Sequence, residues 1–438
     1  RSRCKLKHAK VKHMKICLAQ INEHTAASSI LRILKSFTGP TNPKKQKKGT
    51  LPMLEKEDGV ICQTPDEAMQ VWIKFFAEME GGTRQSFDEL HADWLEDLKK
   101  DQTEPFQLKV TELPTLADLE LAYRRVAPGK AIGPDRVPGE LCHLAPAACT
   151  RATYSSLWKL LLFGHEALTY KGGLLVQAYK GKGPTTKCSS YRSLLISSHI
   201  GKSLHRAMRC SQAHIFEGFL QAQQLGGRRA MPVTYGVHLA RAFHRQARHH
   251  GHSCALIMLD LKEAFYRIFR PICMEGKVTD MAIAQLMQRL QMPPEVMTDL
   301  YRLLRDPCAL EQAGMTPQQR RSIRAVHSQT FFWMYRQHDV VQTSHGSRPG
   351  DPFADVIFSY VWAVVLKKLQ AFMQQQDIAS EFPQRPSLML FEDEPPPADG
   401  RVPFIGPTWM DDLCVCVEGG TPAQTIQRTT LATGRLLE

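Results

Sequence analysis

The sequence lacks the cysteine patterns of zinc sites and of disulfide-rich secreted domains. Its twelve cysteines are scattered over 438 residues, and no two stand as C-x-x-C. Most lie in apolar stretches, as Cys254 does, so we expect reduced and buried thiols. A disulfide framework is therefore excluded, and the cysteine usage is typical of an intracellular protein of the nucleus or the cytoplasm.

Long apolar runs are also absent. No stretch approaches the roughly 18 apolar residues of a membrane helix, so we expect no membrane contact. The start is basic and has no apolar segment of the kind found in signal peptides. Because the sequence begins with Arg1 rather than Met and stops mid-pattern at Glu438, we expect a piece of a longer polypeptide.

Acidic residues are scarce at the start of the chain. Residues 1–50 hold thirteen Lys and Arg and one acid, Glu23, so this segment carries +12 of the net charge of +13. We interpret it as a basic leader and linker that either contacts a polyanion or forms a solvated tail. Residues 51–105 are predicted to be a helical lead-in.

An adjacent pair of acids, Asp411 and Asp412, stands between an apolar run and an alternating one. The alternation predicts a β-hairpin over Phe404–Glu418 with the acids at its turn. The positions predicted to line its two faces are Leu413, Val415 and Val417 on one side and Cys414 and Cys416 on the other. Neighbouring carboxylates repel each other, which favours a Mg²⁺ site that needs one more carboxylate. The alternative is an ordinary polar turn.

A second acid, Asp260, follows the apolar run Cys254–Leu259. The pattern predicts a buried strand that ends on this acid, in a position typical of functional sites or of a helix cap. Further on, the Gly/Pro loop at residues 345–353 precedes an apolar helical stripe. There Asp351 is the predicted N-cap and Pro352 the first helical residue.

A predicted hairpin over residues 174–200 carries cations. Lys180 and Lys182 lie at its glycine-rich turn, and Arg192 lies on its second strand. Arg contacts phosphate with two N–H groups and Lys with a point charge, so the hairpin would suit a triphosphate. The alternative is a surface hairpin with solvated Lys side chains.

The order of these features resembles the reverse transcriptase domain of non-LTR (LINE-type) retrotransposons. The order is APGKAIGPDRVP, SSYRSLL, LDLKEAFYRI, GSRPGDP before a helix, and WMDD in a hairpin. The resemblance covers about residues 50–418. It implies an α+β right-hand polymerase, with fingers over 106–252 and a palm with an antiparallel sheet over 253–438. The C-terminal part of the palm and the thumb would be missing.

The resemblance also implies roles for individual residues. Asp260, Asp411 and Asp412 would be the catalytic carboxylates, holding two Mg²⁺ ions, with Mn²⁺ as an alternative. The partners would be an RNA template, a DNA primer and a dNTP. The residues that match nucleotide contacts are Lys180, Lys182 and Arg192 in the hairpin, Phe265 under the sugar, and Arg348 and Gly350 in the loop.

The sequence departs from the family pattern at a few positions. Pro349 stands where Gln is usual, Trp409-Met410 stand where an aromatic and Ala are usual, and Tyr266 stands where Asp is common. Two other hypotheses stay open. One is an inactive remnant that only binds nucleic acid. The other is a metal nuclease using the same three acids, although a nuclease would need neither Arg192 nor Phe265.

Overall fold

A computed structural model describes residues 53–100, 113–274, 280, 283, 298, 301–383 and 401–437, without 303, 336 and 349. The predicted leader and Pro349 lie outside the described residues. The chain divides into two compact units, Arg1–Pro65 and Asp66–Glu438. In the first, Glu55 and Ile61 form a β-bridge across a turn at Asp58-Gly59. The second contains every candidate site residue.

The second unit mixes helices and strands, which confirms the α+β prediction. Its helices are α1 (Pro65–Met79, which begins at the unit boundary), α2 (Phe87–Lys100), α3 (Leu116–Arg124), α4 (Gly139–Leu144), α5 (Pro146–Phe163), α6 (His199–Ser211), α7 (Ala213–Phe219), α8 (Val233–His249), α9 (Ala264–Arg267), α10 (Arg270–Cys273), α11 (Ala309–Gln312), α12 (Pro317–His327), α13 (Ala354–Gln375) and α14 (Pro422–Leu437). Its strands are β1 (Thr83–Gln85), β2 (Gly172–Tyr179), β3 (Tyr191–Ser197), β4 (Ser253–Asp260), β5 (Thr330–Trp333), β6 (Val340–Thr343), β7 (Ser380–Pro383), β8 (Arg401–Phe404), β9 (Thr408–Trp409) and β10 (Asp412–Gly419).

The larger sheet has the strand order β1-β6-β5-β2-β3. Its pairs are antiparallel except β2 with β5, which is parallel. The predicted cationic hairpin is confirmed as β2 and β3, which pair from Gly173 with Ser197 to Tyr179 with Tyr191. Gly173 allows this approach, because a Cβ there would lie 2.3 Å from the carbonyl oxygen of Ile196.

The smaller sheet has the order β4-β10-β9 and is antiparallel throughout. The predicted alternation of β10 is confirmed. Leu413, Val415 and Val417 pack into the main core, whereas Cys414 and Cys416 pack with Phe243 of α8. The prediction of a buried β4 is wrong for one face, since Met258 is 71% exposed. A strand of an antiparallel sheet can have one face exposed to solvent. Because β4 is apolar on both faces, its sequence does not show which face is buried.

Helix α13 runs through the main core. Its predicted stripe is largely buried, with Ile357 and Tyr360 fully enclosed. Among the described residues, α13 is the one helix long and apolar enough to cross a membrane, and 61% of its most apolar stretch is buried inside the fold, as in a core helix. The predicted cap is also displaced: the helix begins at Ala354, and Asp351 instead accepts a hydrogen bond from the Phe353 amide.

Candidate functional site

The two predicted carboxylate positions meet in the smaller sheet. Asp260 ends β4, Asp412 begins β10, and the register pairs them directly. Residues directly opposed in antiparallel strands project to the same face, with Cβ atoms about 4.5–5.5 Å apart. Met410 and Asp411 form the two-residue turn between β9 and β10, and the positive φ of Met410 (54°) suits such a turn.

Asp411 is held against the strand end that carries the first acid. Its carbonyl oxygen accepts a hydrogen bond from the Leu261 amide at 3.3 Å. Partial burial raises the pKa of the Asp411 carboxyl, and the charges of Asp412 and Asp260 raise it further. Asp260, although distant in sequence, therefore shares one electrostatic environment with the adjacent pair Asp411 and Asp412.

The charge of these three carboxylates is not compensated by any described side chain. Among the described residues, no basic side chain forms an ion pair with Asp260, Asp411 or Asp412. Carboxylate oxygens are the ligands that Mg²⁺ and Mn²⁺ prefer, so the donor set fits such an ion. Within the same residues, no three His, Cys, Asp or Glu side chains already form a group that could hold a metal.

The segment after Asp260 contacts the glycine-rich loop. The amide of Gly346 donates to the carbonyl of Ile268 at 2.9 Å, and the amide of Ser347 donates to that of Phe265 at 2.8 Å. Gly346 has a φ of 79°, and a Cβ there would lie 3.1 Å from the Phe265 carbonyl oxygen. The loop thus lies directly against the turn that carries the predicted sugar-contacting residue.

The cationic hairpin reaches the same segment. The hydroxyls of Ser193 on β3 and Tyr266 share a hydrogen bond of 2.6 Å. Arg192, next to Ser193, is exposed, and its charge acts on Tyr266. Lys180 instead donates to the Ser189 carbonyl within its own hairpin at 2.7 Å. The structure therefore brings Arg192 near the segment and keeps Lys180 on the hairpin, where Lys182 is exposed at the turn.

The two predicted loop residues have different surroundings. Gly350 is exposed with a φ of 95°, and open space lies where a Cβ would point. Arg348 is only 4% exposed, and its guanidinium donates to the carbonyls of Val326 and Tyr170, each at 3.0 Å. The Arg348 side chain therefore supports the loop from the interior, and its contact with a nucleotide stays a prediction.

The sequence analysis did not identify Arg270, a buried residue that hydrogen-bonds to the glycine-rich loop. The buried Arg270 guanidinium donates to the carbonyls of Gly346 and His345, both at 2.8 Å, and to that of His327 at 2.7 Å. Burial lowers the pKa of Arg270 to about 9, with Arg348 contributing and Glu80 opposing. The only signal in the sequence was a charged residue within the mostly apolar run that follows Phe265.

An apolar groove of about 320 Å³ lies beside the carboxylates. Val233 and Val237 of α8 line one side, and Met258 and Trp409 line the sheet side together with Asp260 and Asp412. Val233, Val237 and Met258 are all exposed. The acids therefore stand at the edge of an open apolar surface.

A comparison of the chain with models of known protein families gave no match, and neither did a comparison with curated proteins. What the site does is therefore inferred from its own residues and geometry.

Proposed function

We propose that the chain is an RNA-directed DNA polymerase of the non-LTR retrotransposon type, acting by two-metal, template-dependent nucleotidyl transfer. One observation carries the proposal. The acidic turn, the glycine-rich loop and the cationic hairpin each hydrogen-bond to the segment that follows Asp260. These are the features whose order along the chain resembles the family, and chance would not bring all of them to one segment.

The carboxylates supply the metal ligands in this proposal. Asp260, Asp411 and Asp412 would hold two Mg²⁺ ions, or Mn²⁺, at the strand ends. Bound there, the ions would activate the primer 3′-hydroxyl and neutralise the charge of the triphosphate. Asp411 must be ionised to act as a ligand. Burial and its acidic neighbours raise its pKa and so favour the protonated form, whereas a bound cation would lower the pKa and favour the ionised form.

The nucleotide contacts come from three elements around the same segment. Phe265 would pack against the sugar and disfavour a 2′-hydroxyl, and Gly350 would let the template or nucleotide approach the backbone closely. Arg192 would contact the triphosphate, and Lys180 and Lys182 would add charge at the hairpin turn. The partners are then an RNA template, a DNA primer and a dNTP, with fingers over 106–252 and a palm over 253–438.

A primer-extension assay with poly(rA)/oligo(dT), dTTP and Mg²⁺ on the complete chain tests the proposal. We expect Mg²⁺-dependent incorporation that Asp411→Asn lowers by about 10³-fold or more, as several kcal/mol of charge stabilisation are lost. Asp377→Asn is the matched control, because Asp377 is exposed, lies outside the site and has a φ of 53°, which Asn tolerates. Incorporation that survives Asp411→Asn would contradict the assignment.

The same samples address the alternative of an inactive remnant. Such a protein would bind RNA in a salt-dependent way through its basic segments and would incorporate no nucleotide. Its binding would be unchanged by Asp260→Asn. RNA binding without incorporation by the wild-type chain would therefore count against the polymerase proposal and for the remnant.

A further inference from the structure

A buried row of charged side chains lies behind the glycine-rich loop, centred on His205 of α6. The Nδ1 atom of His205 lies 2.7 Å from Oδ2 of Asp351, and its Nε2 is hydrogen-bonded to Oε1 of Glu166. The side chains are 1% exposed for His205 and Glu166 and 4% for Asp351. No water therefore competes for these contacts.

The geometry favours a positively charged His205. A neutral imidazole has one N–H group and one lone pair, so it donates to a single acceptor. Both ring nitrogens of His205 face carboxylate oxygens, and a protonated imidazole has the two N–H groups that can donate to both. Lys171 adds a second cation, with its Nζ 3.8 Å from Oε2 of Glu166. Two buried carboxylates are thus matched by two cations, which offsets the cost of burying them.

His205 connects two parts of the proposed nucleotide site. Helix α6 begins at His199, directly after β3, which carries Arg192. Asp351 follows Gly350, donates its amide to the Arg348 carbonyl at 2.9 Å and accepts from the Phe353 amide at 3.0 Å. The contact between His205 and Asp351 therefore joins the element that carries the cation to the loop that carries the exposed glycine.

We propose that protonated His205 is a positioning residue for the incoming nucleotide. By joining Asp351 to Glu166, it fixes the Gly350 loop relative to β3 and to the turn at Phe265. This inference rests on the proposed polymerase function. His205 itself touches neither nucleotide nor metal, so its loss should loosen nucleotide binding and leave the chemistry of the carboxylates intact.

Steady-state kinetics on the complete chain separates positioning from general support. On primed poly(rA) with Mg²⁺, His205→Gln should raise the KM for dTTP by about 10-fold, with kcat changed by less than about threefold. His205→Lys restores a buried cation and should recover part of the lost affinity. His214→Gln is the matched control, because His214 is exposed on α7, outside this row. An unchanged KM in His205→Gln would overturn the proposal.

Hydrogen exchange of the peptide 345–353 provides a readout that does not depend on activity. His205→Gln should speed exchange at Asp351 and Phe353 while α13 beyond its first turn stays protected. Unchanged loop exchange would overturn the proposal. If His205→Gln does not fold, Glu166→Gln removes one side of the bridge and should give the same pattern more weakly. An equal loss of protection throughout the chain would mean that His205 stabilises the whole fold rather than the loop, and would also overturn the proposal.

The two proposals can fail separately. If the wild-type chain makes no DNA while His205→Gln still loosens the loop, the polymerase function fails and the bridge remains as the support of the loop. If the wild-type chain makes DNA and His205→Gln has the wild-type KM and loop exchange, the positioning role fails and the polymerase function remains.

Discussion

Two carboxylate clusters in the second unit share their chemistry and differ in their surroundings. Asp260, Asp411 and Asp412 lie at strand ends, where Asp260 and Asp412 are exposed and no basic side chain among the described residues pairs with any of the three. Glu166 and Asp351 lie inside the fold, and each contacts His205. The first cluster has unbalanced negative charge, and the second is balanced within the chain.

The pKa values of the two aspartates show what this difference does. Burial raises the pKa of Asp411, and its acidic neighbours raise it further. Burial alone would also raise the pKa of Asp351, but the charge of His205 and its hydrogen bond outweigh burial and hold that pKa well below its ordinary value. The buried charges of the balanced cluster compensate each other, whereas no described side chain neutralises the unbalanced cluster, which a bound cation would stabilise.

The largest expected effect is a difference in unfolding free energy between substitutions in the two clusters. Asp351→Asn removes a charge that buried cations face, and it should lower the free energy of unfolding by about 3–5 kcal/mol. Asp412→Asn is the matched change in the other cluster. It should shift stability by less than about 1 kcal/mol, in the stabilising direction, because it relieves repulsion with Asp260 across the strand pair. Urea unfolding of both variants beside the wild type measures the contrast.

Equal losses in the two variants would contradict this distinction. An unchanged free energy of unfolding in Asp351→Asn would also contradict it, because the buried charge of His205 would then need no carboxylate partner. The exposed Asp377→Asn should match the wild type and shows the effect of the chemical change alone.

The local sequence pattern predicted the individual strands and the turn of the site. The alternation around Asp411 gave the hairpin and its faces, and the apolar run before Asp260 gave β4 with its correct end. Pairing between β4 and β10 joins segments far apart in the sequence, and no turn specifies it. That the two strands would pair Asp260 with Asp412 was therefore not available from local pattern, although the resemblance implied a shared site.

The balanced cluster was not visible in the sequence. Charged and polar side chains such as those of His205 and Arg270 are rarely fully buried unless they are paired, and their partners lie far away in the sequence. The interior position of the Arg348 side chain was hidden from the sequence for the same reason. The sequence shows that a loop carries a cation, but long-range packing decides whether the side chain faces solvent or the interior.

A smaller effect tests the unbalanced cluster with a cation. If Mg²⁺ binds at Asp260 and Asp411, it should stabilise the wild-type chain by about 2.7 kcal/mol at a hundred times its Kd. Asp411→Asn should remove most of this gain, while Asp351→Asn should keep the same gain in unfolding free energy, because Asp351 lies in the other cluster. Thermal unfolding with Mg²⁺ and with EDTA measures the gain. A shift of equal size in Asp411→Asn would mean that the ion binds elsewhere.

The smallest effect concerns the pH dependence of the balanced cluster. Burial lowers the pKa of His205, but the charges of Asp351 and Glu166 outweigh burial and raise it to about 9. The folded chain therefore keeps a proton that the unfolded chain releases near 6.5, and the stability due to His205 is lost as pH rises from about 6.5 to about 9.

Two other buried groups titrate in part of the same pH range, with opposite effects on stability. Burial raises the pKa of Glu80 to about 7, so the folded chain still releases part of this proton between pH 7 and 8, which lowers stability as pH rises. Burial lowers the pKa of Lys171 to about 8, so Lys171 begins to lose its proton in the same range, which raises stability and offsets the contribution of Glu80. The pKa of His327, lowered to about 3 by burial, and that of Arg270, lowered to about 9, act below and above this range.

Between pH 7 and 8 the wild-type chain should therefore lose up to about 1.4 kcal/mol of unfolding free energy, which corresponds to one proton per pH unit. His205→Gln should flatten this slope, because its side chain does not titrate, while the exposed His214→Gln should keep it. Urea unfolding of the three proteins at both pH values measures the difference. A slope that persists in His205→Gln would assign the proton to another group, and the bridge between the two carboxylates would then not depend on a charged His205.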